Sequence, residues 1–232
     1  MTALLNQGIR RVAIVDDSRD EMVLRAAQLM RMGIEACRIF PSGNNVENLV
    51  DQVRGCADGA ICDNVLQHGS TASFYGAEAV ARLYDYRIPA ILITQFFDQD
   101  YDVSIRKWRE KIPVVLRKED VEPVLIETGL LACLREYQND IPPSRQTCRT
   151  LIRVIRLEQE AGEQVVDALV LSWDAQHPVR FPAALLSPNL QQSLAIDQYF
   201  IARVNTGAES PADLFFADFE LAPEPITEDN LV

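Results

Sequence analysis

The chain has 232 residues, of which 48% are hydrophobic and 24% are charged, enough for one large domain or two modest ones. Its net charge is −12, and residues 148–232 contain 5 Arg, no Lys and 13 Asp or Glu, which argues against nucleic-acid binding because that needs cations against phosphates. The sequence contains no 18-residue apolar run and no signal-peptide pattern, which predicts a cytoplasmic protein that does not span the membrane. The five cysteines include no CxxC pair, so we expect them to be reduced rather than joined in disulfides or in a zinc site.

Short apolar segments alternate with helical segments over the first 140 residues. Val12–Val15 form a continuous apolar run, which is typical of a strand buried on both faces. The next segment repeats apolar residues at helical spacing (Val23, Ala27 and Met30) and ends at Gly33. This alternation predicts strands at 11–17, 34–40, 58–64, 90–94 and 113–116, and helices at 20–32, 46–53, 76–86, 103–111 and 121–137. Five strand–helix units predict an α/β fold, a doubly wound five-stranded parallel sheet of the flavodoxin-like type.

The remainder of the chain has a different pattern. Adjacent prolines in Ile141-Pro142-Pro143-Ser144 indicate a linker, because they continue neither helix nor strand. We therefore divide the chain into a domain at 1–140, a linker at 141–147, a small mostly-β domain at 148–222 and an acidic tail at 223–232 that we expect to be disordered. In the β domain, strands at 151–157 and 165–173 are expected to form a hairpin around Gly162, with further strands at 198–204 and 214–221.

Side chains of the β domain have ordinary structural interpretations. Asp213, Asp218 and Glu220 alternate with apolar residues, which favours a solvated strand face over a metal cluster. The aromatic residues are expected in the core or an interface; they are Trp173, Phe181, Tyr199, Phe200, Phe215, Phe216 and Phe219.

Polar residues follow four strands of the first domain where each strand ends. The first strand ends in Asp16 and Asp17, the third in Asp63, the fourth in Thr94 and the fifth in Lys118. Because functional groups of a doubly wound sheet gather beyond the carboxyl ends of its strands, we expect these side chains at one edge. Three neighbouring carboxylates repel one another unless a cation neutralises them, and such oxygen ligands suit Mg²⁺.

This residue set fits phosphoryl transfer. With the metal bound, Asp63 can attack phosphorus as a carboxylate nucleophile, while Lys118 and Thr94 contact the phosphoryl oxygens. The backbone carbonyl of Val65 is a further candidate metal ligand. Taken singly, the acidic pair could be a helix cap, Asp63 a turn residue and Lys118 a solvated charge. Their occurrence in this order along the strands favours the common site.

The pattern resembles the response-regulator receiver family over residues 11–138. Asp16 and Asp17 are similar to the family's acidic pair, Asp63 to its phosphoacceptor, Thr94 to its strand-four hydroxyl and Lys118 to its strand-five lysine. The resemblance implies that a sensor histidine kinase supplies the phosphoryl group and that Mg²⁺ is required.

The sequence departs from the family pattern at three places. Glu119 follows the lysine where proline is usual, and Val115 stands where many receivers carry an aromatic residue, so the usual coupling of threonine to aromatic residue is not expected. The segment between Asp63 and Gly76 is longer than the family's loop and flexible in composition. It contains His68, which is interpreted as a solvated loop residue; the alternative is that His68, near Asp63 in sequence, tunes the lifetime of the acyl phosphate.

The leading hypothesis is a two-component response regulator that signals to an unknown downstream protein through its β domain, by protein–protein interaction rather than DNA binding. A cationic patch of Arg149, Arg153 and Arg156 is the alternative weighed for DNA. A phosphotransfer or phosphate-sink protein, a pseudo-receiver scaffold that is not phosphorylated, and homodimer formation also stay open. A phosphohydrolase of the haloacid-dehalogenase type is disfavoured, because its two Asp residues are separated by one residue; no enzyme activity beyond self-phosphorylation is expected.

Overall fold

A computed structural model describes residues 2–67, 69–95, 104–160 and 162–223. The chain divides into two units, Met1–Pro142 and Pro143–Val232. Within the described residues, no helix has the length and apolar character needed to cross a bilayer. His68 and nearly all of the predicted acidic tail lie outside the described residues.

The first unit is built on a parallel sheet of five strands, which are β1 (Arg11–Val15), β2 (Glu35–Ile39), β3 (Gly59–Asp63), β4 (Ala90–Thr94) and β5 (Val114–Arg117). Their order in the sheet is β2-β1-β3-β4-β5, the flavodoxin-like order. All residues of β3 and β4 are buried, as expected for central strands that are covered on both faces. The predicted doubly wound sheet is confirmed.

The helix α1 (Ala3–Asn6) precedes these strands, α2 (Arg19–Arg31), α3 (Val46–Cys56) and α4 (Gly76–Asp85) connect the first four of them, and α5 (Pro123–Tyr137) follows β5. The helix predicted at 103–111 is instead a 3-10 helix over Arg106–Lys111 in its described part. In α2 the apolar repeat noted in the sequence is solvent-exposed, with Val23 at 55% and Met30 at 74%. The buried residues of α2 are Met22, Arg25 and Leu29. The buried face of the helix therefore contains an arginine and leaves out the apolar residues of the repeat.

The second unit contains an antiparallel sheet of five strands, which are β6 (Cys148–Glu160), β7 (Glu163–Val170), β8 (Asp174–Pro182), β9 (Tyr199–Val204) and β10 (Phe216–Leu221). Their order in the sheet is β10-β9-β6-β7-β8. Strand β8 was not predicted, because Pro178 and Pro182 interrupt its sequence. As an edge strand it pairs on one side only, so it tolerates residues without a backbone N–H.

One face of this second sheet packs on a core that also includes short helical segments, among them α6 (Pro188–Gln192). Four of the seven aromatic residues expected in a core or an interface are buried, namely Phe181, Phe200, Phe215 and Phe216. Trp173 and Phe219 are partly buried against this core, and Tyr199 is half-buried. Buried Asn205 connects the ends of the unit, since its Nδ2 donates to the carbonyls of Ser144 and Asp213, and its Oδ1 accepts from the Phe215 N–H.

The cysteine prediction is wrong at one pair. Cys37 in β2 and Cys56 at the end of α3 form a disulfide with a Cα–Cα distance of 6.4 Å, whereas Cys62, Cys133 and Cys148 are reduced thiols. Composition and spacing did not reveal the pair, because the two residues are brought together only when α3 packs back against β2.

Candidate functional site

The carboxyl edge of the parallel sheet collects the predicted polar residues. Asp16 and Asp17 directly follow β1, Asp63 ends β3 and Thr94 ends β4. Strand β5 ends at Arg117, so Lys118 is the first residue of the following 3-10 turn, Lys118–Asp120. Because β1 and β3 are hydrogen-bonded neighbours, with Val15 paired to Cys62, the next residues along the two strands also lie side by side.

The three acidic side chains meet as expected. Carboxylate oxygens of Asp16, Asp17 and Asp63 lie within 4.8 Å of one another. Lys118 Nζ donates to Asp16 Oδ2 and to Asp63 Oδ1, at 3.2 Å in each case. Asp16 and Asp63 are only 5% and 7% exposed, whereas Asp17 and Lys118 are half-buried.

Burial shapes the electrostatics of the site. Loss of hydration raises the pKa of Asp63 to about 7, with Asp16 and Asp17 adding to the increase and the Lys118 ammonium opposing it. Burial also raises the pKa of Asp16, against the hydrogen bond from the Ser18 N–H and the charge of Lys118. Although burial alone would lower it, the carboxylates of Asp63 and Asp16 raise the pKa of Lys118. The acids thus carry more negative charge than one lysine neutralises.

Local backbone contacts orient the acidic pair. Asp16 Oδ1 accepts from the Ser18 N–H at 2.8 Å, and Ser18 is the N-cap residue of α2. Asp17 Oδ2 accepts from the Gly69 N–H at 2.7 Å. A Cβ atom at Gly69 would lie 2.6 Å from the Asp17 carbonyl oxygen, so only glycine allows this approach.

The long segment after β3, expected to be flexible from its composition, is anchored in its described part. Leu66, Ala72 and Phe74 are buried. The Ser73 N–H donates to the Gly43 carbonyl at 3.2 Å, and the Gly43 N–H donates to Thr71 Oγ1 at 3.3 Å. Buried apolar side chains, spaced between the polar residues, hold this segment beside the acidic group.

The remaining predicted residues lie close by in the fold. Thr94 is completely buried at the end of β4. Val65 lies in the segment that follows β3, two residues beyond Asp63. Asn64, which lies between Asp63 and Val65 in the sequence, is buried, and its Oδ1 accepts from the Ala77 N–H at 3.2 Å.

Sequence reasoning missed Arg25 and Gln28, two α2 residues that contact the Lys118 turn. Arg25 is 4% exposed and its Nη2 donates to the Lys118 carbonyl at 2.9 Å. Gln28 Nε2 donates to the Val121 carbonyl at 2.7 Å. The signal available was the helical spacing of Arg25 with Met22 and Leu29, which places a cation on the apolar face.

Comparisons with known proteins returned solved receiver domains. A signal receiver domain of a modulated diguanylate cyclase from Desulfovibrio desulfuricans G20 is 21% identical; the match covers 56% of this chain and 97% of that one, with a TM-score of 0.45. The N-terminal domain of a response regulator/sensory box/GGDEF 3-domain protein from Carboxydothermus hydrogenoformans is 22% identical, covering 56% and 98%, with a TM-score of 0.43. A response regulator receiver domain protein from Clostridium thermocellum is 13% identical, with the same coverage and TM-score. No protein-family model and no curated protein matches the chain. Over 56% of its length the chain is similar to receiver domains, the family that its sequence motifs resemble.

Proposed function

We propose that the protein is a response regulator whose Asp63 accepts a phosphoryl group. The observation that supports this most directly is the convergence of Asp63 with Asp16, Asp17 and Lys118 at the carboxyl edge of the sheet. A carboxylate nucleophile, an acidic pair and an ammonium group are the parts that phosphoryl transfer to an aspartate needs.

The residues present fit a divalent cation. Three carboxylates within 4.8 Å offer hard oxygen ligands. Burial is the main cause of the raised pKa of Asp63, and the carboxylates of Asp16 and Asp17 add to it; a bound cation would oppose both effects. Asp16, Asp17 and Asp63 would hold the ion, with the Val65 carbonyl as a further ligand. When bound, Mg²⁺ would supply neutralising charge for the carboxylates and for phosphoryl oxygens.

The proposed step is a displacement at phosphorus. A carboxylate oxygen of Asp63 forms the new bond to phosphorus, while the bond from phosphorus to the donor breaks and the donor leaves with that electron pair. The product is an acyl phosphate on Asp63. Lys118 moves from its carboxylate partners toward a phosphoryl oxygen, and the Thr94 hydroxyl donates to another.

Labelling by acetyl phosphate tests this function. Wild-type protein with Mg²⁺ should gain one phosphoryl group, measured by intact mass, and chelation of the metal should prevent it. Asp63→Asn should abolish the label. Asp51→Asn is a matched control, because the Asp51 side chain is 70% exposed on α3, where it pairs with Arg54.

The outcomes separate the alternatives. Absence of label in wild type would favour the pseudo-receiver scaffold, and a label that persists in Asp63→Asn would refute the assigned acceptor. An acyl phosphate that decays within seconds would favour a phosphate sink. Hydrolysis of a generic aryl phosphate would instead favour a phosphohydrolase. A sensor histidine kinase, through a phosphohistidine, is the proposed physiological donor.

We further propose that the second unit acts on another protein and not on DNA. Each member of the arginine patch has an acidic partner at 2.6 Å: Arg149 pairs with Glu220, Arg153 with Asp197 and Arg156 with Glu158. These pairs reduce the positive charge available to phosphates, on which DNA affinity depends. Binding of duplex DNA at low salt that weakens steeply as salt is added would refute this part.

A further inference from the structure

The turn that carries Lys118 lacks the restraint that proline would provide. Glu119 follows the lysine, and an ordinary residue leaves the backbone torsion φ free where proline would restrict it. Yet Lys118 Nζ is held at 3.2 Å from both Asp16 and Asp63, and its side chain is only 17% exposed. Contacts from elsewhere in the unit reach both ends of residues 118–121.

Those contacts come from α2. The Arg25 guanidinium donates through Nη2 to the Lys118 carbonyl at 2.9 Å and through Nη1 to the Val121 carbonyl at 3.2 Å. Gln28 Nε2 donates to the same Val121 carbonyl at 2.7 Å, and Gln28 Oε1 accepts from Arg25 Nη1 at 3.0 Å. Two side chains thus hold both ends of the four-residue turn.

Burial of the Arg25 guanidinium has a free-energy cost that its hydrogen-bond partners must offset. Arg25 is 4% exposed, and burying a guanidinium is unfavourable unless its donors are satisfied. Glu21 supplies one partner at 3.2 Å, one turn earlier on α2. The other partners are Gln28 Oε1 and the two turn carbonyls. The planar fork of arginine can reach both carbonyls at once, which lysine cannot.

We propose that Arg25, supported by Gln28, is a positioning residue for Lys118: it fixes the turn so that the ammonium faces Asp63. This inference rests on the proposed phosphoryl transfer for its functional consequence. The positioning itself concerns the unphosphorylated protein, so it can be tested separately.

The first test measures the reactivity of lysine amines in the full chain. The sequence contains three lysines, Lys107, Lys111 and Lys118, so limited acylation followed by peptide mass spectrometry resolves each one. In Arg25→Met, we expect Lys118 to be acylated at least about threefold faster than in wild type, because its amine leaves the carboxylates. Rates at Lys107 and Lys111 serve as internal references and should not change.

The second test measures phosphorylation by acetyl phosphate with Mg²⁺. Arg25→Met should lower the phosphorylation rate by roughly 10- to 100-fold, which is the loss of rate expected when a reacting group is misplaced. The Mg²⁺ dissociation constant should change less than about twofold, because no metal ligand is lost. Arg25→Lys should recover part of the rate. In Lys118→Ala, adding Arg25→Met should have no further effect, because Arg25 acts through Lys118. Arg31→Met, on the exposed side of α2, is the matched control.

Distinct results would overturn each claim. If folded Arg25→Met leaves both Lys118 acylation and the phosphorylation rate as in wild type, the positioning role is refuted. An additive loss with Lys118→Ala would also refute it and indicate a merely structural arginine. If Arg25→Met does not fold, Gln28→Ala, which removes one turn contact, should raise Lys118 acylation to a smaller extent, and no rise would refute the proposal. If wild type is never phosphorylated but the acylation result holds, the proposed function fails and the positioning stands.

Discussion

Replacing Asp63 by asparagine should stabilise the metal-free protein at alkaline pH. Burial and the neighbouring acids raise the pKa of this carboxyl from 3.8 to about 7. That change corresponds to about 4 kcal/mol of free energy against the ionised form. The asparagine side chain is neutral and similar in size, so the variant would avoid this penalty while Lys118 keeps Asp16 as a partner.

The pH dependence of the effect has a definite sign. A carboxyl whose pKa is higher in the folded than in the unfolded state favours folding at low pH, and that contribution is lost as the pH rises through the folded value. The advantage of Asp63→Asn should therefore grow from under about 1 kcal/mol at pH 4 to about 4 kcal/mol at pH 8. Mg²⁺ at about 100 times its dissociation constant should stabilise wild type by about 2.7 kcal/mol and shrink that advantage.

Urea unfolding followed by tryptophan fluorescence can measure this in the full chain. The two tryptophans lie in different units, Trp108 in the first and Trp173 in the second. In a Trp173→Phe background, emission reports the first unit alone. Asp51→Asn, at an exposed position, should change stability by less than about 0.5 kcal/mol.

Two results would refute the reasoning. One is a loss of stability in Asp63→Asn at pH 8 without divalent cations. The other is a stability advantage of Asp63→Asn that does not vary with pH, which would mean that folding does not raise the pKa of the Asp63 carboxyl.

Three further predictions concern stability and use the same unfolding assay. In Gly76→Ala the new Cβ would lie 1.9 Å from the Asp63 carbonyl oxygen, so the free energy of unfolding should fall by at least about 3 kcal/mol. The control Gly55→Ala, whose Cβ would have no described atom within 4 Å, should be neutral or stabilising. Equal effects of the two substitutions on stability would contradict the close packing at Gly76. Asn205→Ala leaves two carbonyls and the Phe215 N–H without their side-chain partner, which should cost about 2 to 4 kcal/mol in the unit reported by Trp173; a midpoint as in wild type would count against it. Replacing both Cys37 and Cys56 by alanine removes a cross-link over 19 residues and should cost about 3 kcal/mol; an unchanged midpoint under oxidising conditions would show that the bond does not form.

Local patterns were sufficient for the framework of the first unit. Alternating apolar and helical segments predicted its five strands and the helices α2 to α5 in the right order, because side-chain periodicity is a property of neighbouring residues. They did not predict α1 or the 3-10 form of the helix over Arg106–Lys111. The proximity of the acidic residues at the ends of β1 and β3 could also be predicted from the sequence, because parallel strands present their carboxyl ends at one edge of the sheet. Asp16, Asp17 and Asp63 lie there as expected.

Long-range packing decided the rest. Sequence spacing marked Val23 and Met30 as the apolar repeat of α2, yet the buried face carries Arg25, since a charge can be buried only where distant carbonyls and an acid satisfy it. The Cys37–Cys56 pair and the edge strand β8 likewise depend on contacts made after the chain has folded back. What the amino acids determine locally is periodicity and strand-end chemistry; which groups become partners is decided only in three dimensions, because hydrogen bonds and burial depend on proximity in space rather than along the chain.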